Sequence, residues 1–168
     1  MKRIALNMFF IILAFIIQKG IFPLIPFLSA VPNLLLIFVF TFGFIYGSEA
    51  GLYYGVAAGI LLDLSGGGPF GFYTLIYCYM GYLNGICTKY YYEDYITLPL
   101  VLCVLNELAY NFYIYVFRFL LRNRLDFLYY LKEIIIPELI FTMVVTLFVY
   151  RLFLFSSRKL EALDKRRD

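Results

Sequence analysis

Three tracts limit what this chain can fold into: "IALNMFFIILAFII" at 4–17, "NLLLIFVFTFGFIYG" at 33–47 and "ELIFTMVVTLFVY" at 138–150. None of them has a water-facing side. A helix that is apolar all round is buried in a core or sits in lipid. A chain of 168 residues cannot bury several such helices in one soluble core. Composition agrees, with 64% of residues hydrophobic and 15% charged, against about 45–50% apolar in soluble domains. The expected fold is an all-α integral membrane protein, a single polytopic domain over residues 1–168 with short loops.

A spanning helix needs about 20 mostly apolar residues. That ruler marks six segments, at 3–19, 32–47, 49–65, 70–89, 96–118 and 133–156. "MKR" before an apolar run resembles a secretory signal, but "FLSA" has Leu28 where cleavage wants a small residue. The run is therefore expected to be the first span. Pro23, Pro26 and Pro32 forbid a regular helix through the connection that follows. That connection should lie at the outer interface or be covered by protein. Residues 119–132, "FLLRNRLDFLYYLK", could form an amphipathic interfacial helix.

Six spans put both termini on one side, and basic residues mark the cytoplasmic side. With the termini inside, Lys2, Arg3, Lys89, Arg158, Lys159, Lys165, Arg166 and Arg167 are cytoplasmic. Lys19, Arg118, Arg122, Arg124 and Lys132 are then outside. The balance favours this orientation in a bacterial cytoplasmic membrane, with 158–168 as a basic tail, but the basic loop after the fifth span runs against it. With no tryptophan, the tyrosines must supply interfacial anchoring, as in "KYYYEDY" at 89–95.

Several function classes drop out. The chain has no histidine, which removes His-dependent catalytic and metal sites. Cys78, Cys87 and Cys103 lack metal-type spacing and read as small apolar core residues. The net charge of +3 is concentrated in the C-terminal tail, which reads as a solvated cytoplasmic end, not a nucleic-acid surface. No nucleophile, base and orienting group stand in an identifiable arrangement, so an enzyme is not expected and no cofactor or metal is implied.

Three constellations remain. Glycines at 47, 51, 55 and 59 form a ladder on the third segment, and Gly81 and Gly85 repeat the spacing on the fourth. In lipid, glycines four apart form a groove into which a helix can press. The groove packs either against the protein's own helices or against another protein's helix. Asp63 follows the ladder and is succeeded by "SGGGPFG". The glycines permit a tight reversal, and Pro69 suits the first turn of the next helix. Asp63 or Ser65 could then cap that helix, or Asp63 could meet a partner or ligand at the outer face. Finally, Glu107, Asn111 and Arg118 fall near one face of the fifth segment, with Asn106 about 100° from Glu107. Glu138 follows Pro137 at the start of the sixth. An interhelical polar network is the simpler reading of these residues, and a small-molecule pocket the sharper one.

"VPNLLLIFV" followed by "GLYYGVAAGILLDLSGGGPFGFYTLIYCYMGYLNG" resembles the rod shape-determining MreD family. The resemblance covers essentially the whole chain. It carries over Pro32, Asn33, Gly55, Gly59, Asp63, Pro69 and Gly71, with Gly51, Gly81 and Gly85 as further packing candidates. It implies a non-enzymatic scaffold of the machinery that elongates lateral peptidoglycan. Such a scaffold binds the bitopic protein MreC, and through it MreB, RodA and a penicillin-binding transpeptidase. The family is similar in fold to the S-components of energy-coupling-factor transporters, so a subunit binding a small vitamin-like ligand is the alternative. Those components carry an Ala-x-x-x-Ala motif on the first helix, whereas here Ala5 and Ala14 stand nine apart.

Overall fold

A computed structural model describes residues 2–24, 31–66, 69–87, 97–118 and 127–164, and these are helical apart from short turns. The helices are α1 (Lys2–Ile16), α2 (Leu34–Tyr46), α3 (Ser48–Ser65), α4 (Phe72–Ile86), α5 (Thr97–Arg118), a short α6 (Phe127–Tyr130) and α7 (Ile136–Asp164). Pro26, the tyrosine-rich 89–95 stretch and residues 119–126 lie outside the described residues.

The polar and apolar faces are arranged as lipid demands. On α5 the inward stripe is Cys103, Glu107, Asn111 and Ile114, while Val101, Leu105, Leu108 and Phe112 are exposed. On α7, Thr142 and Thr146 are buried and Ile140, Val144, Leu147 and Phe148 face out. On α1, Asn7, Ile11 and Ala14 point inward, and Ile4, Met8, Phe9, Ile12 and Leu13 are exposed. Water would favour the reverse placement. Polar side chains turned into a bundle with apolar ones outside is what a hydrocarbon solvent selects.

α2 differs from its neighbours. Leu34 to Phe44 is buried almost without interruption, and the helix packs against α1, α3, α4, α5 and α7. Its apolar surface all round is therefore satisfied by protein. At 13 residues it is about 20 Å long, less than the hydrocarbon thickness of about 30 Å. Among the described residues, Ile4–Leu24 and Leu98–Phe117 are long and apolar enough to cross a membrane, and Leu34–Tyr46 is apolar but shorter.

Two boundaries move from where the sequence puts them, and in both a widened turn precedes a proline. The first helix does not stop at residue 19. It widens into a π-helical turn at Ile17–Ile21 and ends in a 3-10 turn at Phe22–Leu24 that includes Pro23. The last helix is already formed at Phe127, where the described residues resume, and widens at Leu131–Ile135, just before Pro137, instead of starting at 133. Proline has no N–H and its ring collides with the carbonyl four residues back. A widened turn ahead of it can accommodate that ring, and here the Ile136 N–H donates to the Leu131 carbonyl, five residues back. The backbone of the basic C-terminal segment is helical as far as Asp164.

Candidate functional site

α3 and α4 share the most extensive interface in the bundle, and glycine makes it. A Cβ placed on Gly51 would overlap the Gly81 carbonyl oxygen, one on Gly55 the Tyr77 carbonyl, and one on Gly59 the Thr74 Cα. From the other side, a Cβ on Gly81 would meet the Gly51 carbonyl, and one on Gly85 the Ser48 backbone. The two helices touch backbone to backbone along their length. Gly43 on α2, which the sequence reading passed over, closes on Gly81 and Gly51 in the same way. The groove is therefore filled by the protein's own helices. Gly47 plays another part: at φ +95 it turns the chain between α2 and α3, and the space a Cβ would take there is open.

The ladder ends at Asp63, whose carboxylate is fully engaged. Oδ1 accepts from the Tyr73 N–H at 2.8 Å. Oδ2 accepts from the N–H groups of Gly71 at 3.0 Å and Thr74 at 3.1 Å, and from the Thr74 hydroxyl at 2.5 Å. The three N–H groups lie at the start of α4, where no helical carbonyl can reach them. The negative charge also sits at the positive end of the helix dipole. Ser65 takes no part; its hydroxyl donates back to the Leu62 carbonyl at 3.1 Å. Pro69 lies before α4 instead of in its first turn. Its carbonyl accepts from the Phe72 N–H at 3.2 Å, and Gly71, at φ +95, supplies the left-handed residue of the turn.

Asn33 is the second hub. It caps α2, Oδ1 accepting from the Leu36 N–H at 3.3 Å. The same oxygen accepts from the Tyr77 hydroxyl at 2.7 Å and from the Gln18 amide at 3.3 Å. The Asn33 N–H donates to the Thr142 hydroxyl at 3.2 Å, and Gln18 Oε1 accepts from the Leu35 N–H at 3.0 Å. One side chain thus ties α2 to α4 and to the turn that extends α1, while its backbone bonds α7. Pro32, just before it, is buried, and its carbonyl accepts from the Leu34 N–H at 3.0 Å.

The four polar residues singled out on α5 and α7 fall into two groups. Asn106 pairs with Asn84 on α4 through reciprocal amide bonds of 2.6 and 2.9 Å. Each amide also donates to the carbonyl four residues back, Asn84 to Met80 and Asn106 to Leu102. Glu107, Asn111 and Glu138 form the other group. Asn111 Nδ2 donates to Glu107 Oε1 at 3.3 Å, and the Glu138 carboxyl faces both of them. Arg118 is backbone-described at the end of α5, and its side chain lies outside the described residues. Asp63 stands apart from both groups, bonded to the start of α4.

Gln18, Tyr77, Asn84 and Thr142 carry these contacts and were not picked out from the sequence. Thr142 and Thr146, four apart on an apolar helix, were the available signal for a buried polar stripe. Among the described residues no group of three or more His, Cys, Asp or Glu side chains gathers as a metal site. Cys78, Cys87 and Cys103 are free thiols, and Cys103 bonds Thr146 at 3.1 Å.

The arrangement is one of interlocked backbones, capped helix starts and paired amides, a set of devices for holding helices in register. No curated protein and no solved structure matches the chain significantly. The family model described as rod shape-determining protein MreD matches residues 2–158, and the chain belongs to that family.

Proposed function

We propose that this chain is a non-enzymatic scaffold of the bacterial cell-elongation machinery, which builds lateral peptidoglycan. Rod-shape determination comes with the family. The finer reading is a single multi-pass domain of six spans in the cytoplasmic membrane, with both termini cytoplasmic. It binds MreC and, through MreC, engages MreB, RodA and a penicillin-binding transpeptidase.

The observation that carries this reading is the state of Asp63. Both of its oxygens are committed to the reversal between α3 and α4. A carboxylate held by four donors is neither a free base nor a nucleophile. Together with the glycine interlock it makes α2, α3 and α4 a preformed block, which can bind a partner with little loss of conformational entropy. Because the glycine groove is occupied internally, the membrane helix of MreC needs an outward face. Leu75, Tyr79, Tyr82, Leu83 and Ile86 form such an exposed stripe on α4, with the i, i+4, i+7, i+8 spacing that a helix partner reads.

The test is co-purification with MreC from mild detergent. MreC is expected with the wild-type chain, and its yield should fall several-fold when Tyr79 and Leu83 are both changed to Ala. Absence of MreC from wild-type preparations would remove the scaffold reading. An unchanged yield with the double variant would move the interface off α4.

A further inference from the structure

The second polar group joins acid to acid. Glu107 on α5 is 0% exposed, and Glu138, in the first turn of α7, is half-buried. The two carboxyl groups hydrogen-bond each other, and the Asn111 amide bonds both. Two ionised carboxylates are acceptors only, so they cannot bond each other without a proton between them. The oxygens of Glu107 fit that requirement. Oε1 accepts from the Asn111 amide at 3.3 Å, and Oε2 has no N–H or O–H donor among the described residues.

The surroundings supply no counter-charge among the described residues. Lys19, Lys132 and Arg151 are exposed, as are Glu49 and Glu133. From α4 the pair is faced by Tyr77, with Tyr73 behind it, and from α5 by Tyr110 and Cys103. Phenols and thiols are neutral at ordinary pH, and the Tyr77 hydroxyl already donates to Asn33. α2 reaches this end of the bundle with Asn33 and its leucines, none of which titrates. Two facing buried carboxylates without a cation are strongly unfavourable. A shared proton removes one of the two charges, and the Asn111 amide meets the other.

The helix that carries Glu138 is weakly bonded just ahead of it. Leu131–Ile135 is π-helical, and Pro137 has no N–H to give the Glu133 carbonyl. The segment before that point packs through a small cluster, Tyr130 and Ile135 against Tyr115 of α5. One turn beyond Glu138, the Thr142 hydroxyl ties α7 to the Asn33 N–H at the start of α2. Glu138 thus stands where a lightly held segment joins a firmly held one. We propose that Glu107 and Glu138 share one proton, and that this acid pair is a pH-sensitive latch holding the start of α7 against α5. When the proton passes to water through half-buried Glu138, two like charges remain face to face. The segment 127–137 then swings away at Pro137, while the interlocked block of α2, α3 and α4 keeps its packing.

The test takes the purified full chain in detergent from about pH 5 to about pH 9, above the range where ordinary carboxyl groups titrate. Infrared difference spectra should show the C=O stretch of a protonated carboxylic acid at neutral pH, and the band should vanish as the pH is raised. Hydrogen exchange in 127–137, corrected for its intrinsic pH dependence, should speed up as the band is lost. The folded state holds a proton that the unfolded chain releases, so the melting midpoint should fall with rising pH. Glu107→Gln and Glu138→Gln, made separately, each place an amide N–H where the proton lies. Each should remove the band and flatten both the exchange and the melting response, while Glu49→Gln, at an exposed site, should change none of them. A wild-type spectrum without the band at neutral pH overturns the proposal even if neither pair variant folds. So does a band that survives both substitutions, or exchange in 127–137 that does not follow its loss.

Discussion

Asp63 and Thr74 are joined twice: Oδ2 of the aspartate accepts both the Thr74 backbone N–H, at 3.1 Å, and its hydroxyl, at 2.5 Å. The pair links the last turn of α3 to the first turn of α4 across a glycine-rich reversal. The glycine interlock begins immediately below, where Gly59 meets the backbone of that same Thr74. The clamp and the interlock therefore set one register between them.

Asp63→Ala removes all four acceptor contacts and should lower stability by about 2–4 kcal/mol, since hydrogen bonds to a charged group contribute about 1.5–3 kcal/mol each and do not simply add. Asp63→Asn should fall between Ala and wild type, because it keeps one oxygen but turns an amide towards backbone N–H donors. Thermal unfolding in detergent measures both, and an Ala variant that melts like wild type would show the clamp to be dispensable.

On the ladder, Gly55→Ala should be destabilising by about 3 kcal/mol or more, because the new Cβ overlaps the Tyr77 carbonyl and neither backbone can yield cheaply. Gly55→Leu and Gly59→Leu should abolish accumulation of folded protein. Gly20→Ala is the matched control, with nothing within 4 Å of the added carbon. Equal yields of the Gly20 and Gly55 variants on size-exclusion chromatography would contradict the interlock.

The Asn84–Asn106 pair lends itself to a double-mutant cycle. Either Asn→Leu change alone strands a buried amide and should cost about 1–3 kcal/mol, whereas replacing both partners can be nearly neutral. Additive losses would mean that the two amides are not coupled.

Asn33→Ala deletes the α2 cap and the acceptor for Tyr77 and Gln18 together, so it should cost about 2 kcal/mol or more. Tyr77→Phe removes only one of the donors on that oxygen and should cost about 1 kcal/mol. The order of the two melting midpoints checks the hub, and a Tyr77 variant that is the weaker of the two would count against it.

Much of the fold was legible along the chain because lipid imposes simple rules on it. Long apolar tracts, proline positions and glycine spacing are local properties, and they sufficed for an all-helical protein with close packing on its third and fourth segments. Asp63 could be read as a cap because a carboxylate ahead of a proline-glycine turn meets the donors of the helix that follows. Helix ends were less legible. Pro23 was treated as a break, whereas the backbone carries a turn through it after widening at Ile17–Ile21; Pro137 lay inside an expected span, but the widened turn at Leu131–Ile135 ahead of it was not foreseen.

Residue identity and spacing by themselves determined the solvent this chain is suited to, the family it resembles and the positions where backbones must meet. Only the tertiary structure decided what meets what. It put α4 and not a foreign helix into the glycine groove, because the tight turn through Gly71 folds α4 back along α3. It made α2 a buried core helix, although its sequence is as apolar as that of a lipid-facing one. It also split one list of polar residues into an amide pair and a carboxylate layer. Sequence spacing orders side chains around a single helix, but the partner of each is set by the register between helices, which many distant contacts fix together.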